Sequence, residues 1–172
     1  MHREAHFRVY AESVRNLGTP VFPRALFGAM LDAFGDEADI VTVWKDGRAL
    51  ASFLNFYFKQ ACLSYWGGGT MEARHWRAND LIYFDVMRRA DARGFVRADF
   101  GRSKVGTGAW QRKRIWGFSE TPLIYAERTA EGVDGREINP LSPKYRFQVA
   151  AWQRLPLWLA NRAGPLLARG LG

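Results

Sequence analysis

The chain is short of cysteine, has no long apolar run, and over two stretches has no acid at all. A single cysteine, Cys62, stands among 172 residues. That excludes an internal disulfide and sets the expectation of a reducing, cytoplasmic compartment. Cys62 lies in the apolar run 61–66 with no base near it in sequence, which reads as a small buried hydrophobe rather than a nucleophile. No run of 18 apolar residues occurs, so no transmembrane helix is expected. Residues 1–10 lack an apolar core, so no signal peptide is expected. The histidines His2, His6 and His75 are widely spaced and make no zinc set with Cys62, so no metal is expected. Neither the Walker spacing of a nucleotide-binding loop nor a dinucleotide fingerprint is present.

What the chain does have is apolar bulk and positive charge. Apolar residues make up 48% and aromatics 15%, enough for an ordinary core and incompatible with a disordered chain. The length suits one domain. The net charge of +8 points to an anionic partner. Between Asp99 and Glu120 there is no acid, but Arg102, Lys104, Arg112, Lys113 and Arg114 are present. After Glu137 there is again no acid, while Lys144, Arg146, Arg154, Arg162 and Arg169 follow.

Helical spacing predicts helices over 6–17 and from Pro23 to Phe34, the second stopped by Gly35. Three strands follow, over 39–45, 48–59 and 61–66, the first two joined by the turn pair Asp46-Gly47, with Gly67, Gly68 and Gly69 ending the third. Asn79-Asp80 opens a long helix that Gly94 closes. A strand over 96–100, a short helix over 107–116, a strand over 122–128, a helix over 144–154 and a last weak helix complete the reading. The fold class is α/β (α+β): a mixed, largely antiparallel sheet with helices on its faces. The expected division is a domain over 1–138 and a basic amphipathic helical tail over 139–172.

The segment from Asp99 to Gly108 leaves the C-terminal end of a strand, where ligands of open α/β sheets usually sit. Arg102, Ser103, Lys104, Gly106, Thr107 and Gly108 have the makings of a phosphate cradle: glycines that admit close backbone approach, two cations, and a helix N-terminus behind them. Composition leaves a solvated basic turn equally open. Lys113, on the following helix, is the candidate to meet a developing oxyanion, a solvated helix charge being the plainer reading. Asp99 is the candidate general base, with burial or a bond to Arg102 as the alternative. Asp80 reads as a first-turn partner of the helix dipole. In the tail, Trp152, Leu155, Leu157, Trp158, Leu159, Leu166 and Leu167 interleave with Arg154, Arg162 and Arg169. Peripheral contact with an anionic membrane through 152–169 and packing against the domain are both open.

The runs DFGRSKVGTGAWQRKRIWGF (99–118), GTPVFP (18–23), GGG (67–69), AND (78–80) and NPLSPKYR (139–146) together span nearly the whole chain. In them the sequence resembles the FemAB-type acyltransferases associated with exosortase/PEP-CTERM exopolysaccharide systems. The resemblance implies a GNAT-like fold and acyl or aminoacyl transfer to a cell-envelope or exopolysaccharide precursor. It also implies two such domains in full-length members, with this chain the C-terminal one, so that activity alone is in question. Fem relatives carry a lysine after an aromatic ahead of the final strand; Lys113 matches the lysine, and Arg112 stands in place of the aromatic. The acyl-CoA pyrophosphate motif is absent between residues 67 and 79, so no cofactor is firmly implied, and acyl-CoA and aminoacyl-tRNA both stand as donors, with tRNA as a partner. The alternative function is a non-catalytic basic module that binds RNA or an anionic glycan or lipid as half of a two-domain transferase.

Overall fold

The computed structural model describes residues 2–126, 128 and 143–168. Two helices come first, α1 (His2–Leu17) and α2 (Arg24–Phe34), then an antiparallel meander of β1 (Ala38–Lys45), β2 (Arg48–Phe58) and β3 (Ala61–Gly69). A short helix α3 (Met71–His75) leads into the long α4 (Ala78–Ala92), and β4 (Arg97–Asp99) joins β3 in parallel. Then come α5 (Gly108–Ile115), α6 (Pro143–Gln153) and α7 (Leu157–Ala168). The sheet order is β1-β2-β3-β4. Asp46 and Gly47 both take left-handed φ, of 48° and 74°, as a tight turn matched to strand twist requires.

Alternation along the strands divides the core into two layers. Val41, Ala51, Phe53, Tyr57 and Cys62 face α4, where Ile82, Val86 and Ala90 close over them. Ile40, Leu54, Phe56 and Trp66 face α1 and α2, meeting Tyr10, Val14 and Phe27. Asn55, fully buried in β2, donates to Asp39 Oδ1 at 2.9 Å and accepts from Ser64 Oγ at 2.8 Å, so its burial leaves no amide group stranded.

One polar group inside the α1 layer is not fully satisfied. His6 is wholly buried, stacked near Tyr10 and edge-on to Phe27. Its Nδ1 lies 2.9 Å from Ser52 Oγ, which in turn donates to Val41 O at 3.2 Å and lies 2.9 Å from Thr42 Oγ1. With the Ser52 proton on Val41 O, the serine accepts from both neighbours, and His6 carries its proton on Nδ1. Nε2 is left a bare, buried acceptor without a partner. Burial accordingly drives the imidazole pKa down to about 4.

Two expectations are corrected, and one element is added. The three glycines do not end β3 but belong to it, paired with Ala51, Ser52 and Phe53. A Cβ on Gly67 would come 1.7 Å from the Phe53 ring, and one on Gly68 2.1 Å from Ser13 Oγ of α1, so neighbouring side chains fill the space a larger residue would need. The short helix α3 was not read from the sequence; Thr70 caps it by accepting from the Ala73 amide at 3.2 Å. Residues 122–126 form no strand: Leu123, Ile124 and Tyr125 are exposed, and apolar and aromatic side chains without a paired neighbour do not hold a strand. The remainder of that predicted strand and the boundary at Asn139-Pro140 lie largely outside the described residues.

Candidate functional site

β4 pairs with β3 only through Ala61, Cys62 and Leu63, and the pairing ends at Leu63–Asp99, where β4 itself ends while β3 runs on to Gly69. The rings of Phe53, Tyr83 and Phe100 pack against one another at this point on the α4 side, and Phe118 stacks on Phe100 at 5.1 Å. The predicted cradle leaves the sheet here. Gly101 takes a left-handed φ of 66°, and its amide donates back to Asp99 Oδ1 at 2.8 Å. Lys113 reaches across from α5 and donates to Phe100 O at 2.5 Å and Gly101 O at 2.7 Å. The Gly101 residue is thus gripped from both sides by the two predicted catalytic groups. Partial burial lowers the pKa of the Lys113 ammonium from its ordinary range, and the nearby Asp99 carboxylate opposes that shift.

The other predicted residues take separate places. Asp99 is exposed, and Arg102 bonds not to it but to Tyr125, donating to the phenol oxygen at 3.3 Å. Ser103 Oγ is buried with no partner. Lys104 offers its carbonyl to Thr107, whose hydroxyl donates to it at 2.7 Å while accepting from the Trp110 amide at 3.3 Å to cap α5. Gly106 is left-handed at φ 83°, and Gly108 opens α5 with nothing within 4 Å of a would-be Cβ. Part of the loop's hydrogen-bonding capacity is therefore spent on the loop itself.

A second feature adjoins this loop. At the N-terminus of α4 a cleft of about 300 Å³ is lined by Ala73, Arg74, Arg77, Asn79, Asp80 and Arg112. Arg77 sits in the left-handed region, at φ 52°, immediately before the first helical residue. The Asp80 and Leu81 amides donate to Arg77 O, which leaves the Ala78 and Asn79 amides without a backbone acceptor among the described residues, at the positive end of the helix dipole. Arg112 donates to Asp80 Oδ1 at 2.7 Å, and that ion pair ties α5 to the α4 N-terminus. Three guanidinium groups, one helix terminus and a single carboxylate make a site that attracts a polyanion. Arg74 and Arg77 were not singled out from the sequence. Their one visible signal is the basic spacing just ahead of the Asn79-Asp80 helix start.

With this arrangement of meander, long helix and parallel β4 in view, the comparison with known families is decisive. A sequence model of the acetyltransferase (GNAT) domain matches residues 2–113. The chain belongs to the GNAT acetyltransferase family. Among solved structures, the GNAT domain is similar to AAC(6')-Iy in complex with the bisubstrate analogue CoA-S-monomethyl-acetylneamine. The TM-score is 0.58 at 16% identity, over 75% of this chain and 92% of that one. A second structure, the aminoglycoside N-acetyltransferase AAC(6')-Iy in complex with CoA, aligns with TM-score 0.49 at 16% identity, over 62% of this chain and 90% of the other. At that identity the first likeness speaks for the fold. No curated protein matches the chain. Among the described residues, no helix is long and apolar enough to cross a membrane, and no group of three metal-ligating side chains gathers.

Proposed function

We propose that this GNAT domain is an acyl- or aminoacyl-transferase of the FemAB type, acting on an amine of a cell-envelope or exopolysaccharide precursor. The observation that carries the reading is the cationic cleft at the α4 N-terminus, joined through Arg112 to the helix that bears Lys113. In this reading Arg74, Arg77 and Arg112 hold the phosphates of the donor, with Arg102 and Lys104 extending the positive surface along the loop. Both acyl-CoA and aminoacyl-tRNA carry such phosphates in the same molecule as a reactive thioester or ester carbonyl. The solved structure in complex with a CoA-containing bisubstrate analogue favours the thioester; the net charge of +8 suits the larger polyanion.

Lys113 has three ammonium protons, of which two are engaged by the Phe100 and Gly101 carbonyls. That leaves one to donate to the oxygen of the reacting carbonyl as it gains charge. Fixing an ammonium on rigid backbone acceptors is a preorganised way to stabilise an oxyanion, because little reorganisation is needed during reaction. The acceptor amine attacks the carbonyl carbon, the bond to the donor sulfur or oxygen breaks with its electron pair on that atom, which takes a proton from solvent, and the amine proton leaves to solvent or to the exposed Asp99 carboxylate. The same two carbonyl bonds also favour a second reading, a binding module in which Lys113 only braces the loop.

The experiment is transfer of a labelled acyl group from donor to a small amine, comparing the native chain with Lys113→Met and Arg102→Ala. Turnover that falls by about a hundredfold in Lys113→Met, the scale of losing one oxyanion donor, supports the transferase. Donor binding without turnover in the native chain, unchanged in Lys113→Met, supports the module.

A further inference from the structure

The apolar and basic tail singled out in the sequence divides, in the structure, into residues that pack and residues that do not. α7 turns Ala160, Gly164 and Ala168 inward. Gly164 lies so close to the chain after α1 that a Cβ there would come 2.8 Å from the Val21 side chain and 2.9 Å from its backbone nitrogen. Leu157 joins the core under α1 and α2. α6 is fastened beside it: Arg15 donates to Gln153 O at 2.9 Å, and Gln153 Nε2 donates to Asn16 O at 3.0 Å. The hairpin is therefore seated on the α1 side of the sheet, away from the α4 cleft, and its orientation is set by small residues that allow one face to approach.

The opposite face of α7 carries Trp158, Arg162 and Leu166 at successive i, i+4 positions. Trp158 and Leu166 are each 68% exposed, Leu167 at the flank 54%, and Phe147 on α6 76%. Arg146, Arg154 and Arg162 are exposed among them. No acid occurs from residue 138 to the end of the sequence. Cations alone would suit nucleic acid as well, but an indole and leucines between them gain nothing from a phosphate backbone. At a lipid interface all three residue types are matched. The indole sits at headgroup depth, the leucines enter the acyl boundary, and the guanidinium groups meet lipid phosphates. At 12 residues α7 lies in the interface plane rather than through it.

We propose that the outward face of α6 and α7, centred on Trp158, Arg162 and Leu166, docks this domain on an anionic membrane surface. The surface is separate from the cleft, so it stands or falls independently of the transfer reaction. The test is co-sedimentation of the full chain with phosphatidylcholine vesicles, with and without phosphatidylglycerol, at low and high salt. The expected result is retention on the phosphatidylglycerol vesicles that salt weakens. Each arginine of the pair Arg154→Gln, Arg162→Gln should cost about fivefold, and Trp158→Ser with Leu166→Ser should weaken retention at least as much. A charge-matched control, Arg8→Gln with Arg97→Gln, removes two exposed arginines elsewhere and should retain most of the binding. Circular dichroism of each variant confirms that it is folded. Equal loss from the control and the tail arginines would overturn the proposal in favour of net charge alone. Binding to both vesicle types indifferent to Trp158 and Leu166, or tRNA binding that depends on Arg154 and Arg162 in its place, would also overturn it.

Discussion

Replacing His6 by Asn removes one titrating group from the core while keeping a donor for Ser52 Oγ, and its signature is a change in how stability depends on pH. The imidazole is wholly buried, its Nε2 has no partner, and its pKa is about 4 against an ordinary 6.5. The folded pKa is depressed, so below pH 6.5 the unfolded chain takes up a proton that the folded chain refuses. Stability is therefore lost as pH falls from 6.5 toward 4 and levels off below. Fully expressed, that depression corresponds to about 3 kcal/mol, and between pH 7 and pH 4.5 about 2 kcal/mol of it is lost. Urea unfolding at several pH values between 7 and 4.5, on the native chain and on His6→Asn, measures the difference with the carboxylate contributions common to both. The variant is less stable at pH 7, because the side chain is smaller, but its profile is flatter. Parallel profiles for the two proteins would refute the assignment of a neutral, unpartnered imidazole.

Gly67→Ala places a Cβ against the Phe53 ring and should destabilise by about 1–3 kcal/mol, seen as a melting temperature lower by several degrees. Arg77→Gln should weaken donor binding about tenfold, the scale of one charge-assisted hydrogen bond, with the melting temperature of the free protein nearly unchanged; calorimetric titration checks both. Cys62 is buried, and burial, with the Asp39 carboxylate, pushes its thiol up to about 11. A thiol reagent at neutral pH should modify it only as fast as the chain unfolds, and rapid modification of the native protein would contradict that burial.

Those features of the fold that rest on local chemistry were legible. The turn at Asp46-Gly47, the apolar spacing of α2 and the Asn79-Asp80 start of α4 each carry their own signal, and each element lies within a few residues of its predicted place. The glycine run misled because glycine usually interrupts a strand. Here the Phe53 ring and Ser13 occupy the missing side-chain volume, a fact of packing between elements distant in sequence. The segment 122–126 has strand composition but pairs with neither open edge of the sheet, which local composition does not reveal. At the site, the loop 101–108 was found through its glycines and cations, and the clamp formed by Asp99 and Lys113 could be placed but not drawn. The cleft was missed. Arg74 and Arg77 converge because α3 ends and Arg77 turns left-handed before α4, and no spacing rule encodes that bend. In the tail, sequence named the apolar residues, but only the seating of Gly164 on Val21 distinguishes Leu157, which packs, from Trp158, which does not.

The central claim is that the α4 cleft holds the anionic donor of an acyl transfer. A thermal-shift titration of the full chain against acetyl-CoA, longer acyl-CoAs, aminoacyl-tRNA and uncharged tRNA, at low and high salt, tests it most directly, since a ligand that binds only the folded state raises its melting temperature. The account predicts a salt-tolerant rise with one class of donor that is lost in Arg77→Gln. A rise with every polyanion alike, abolished by salt and retained in Arg77→Gln, would contradict it.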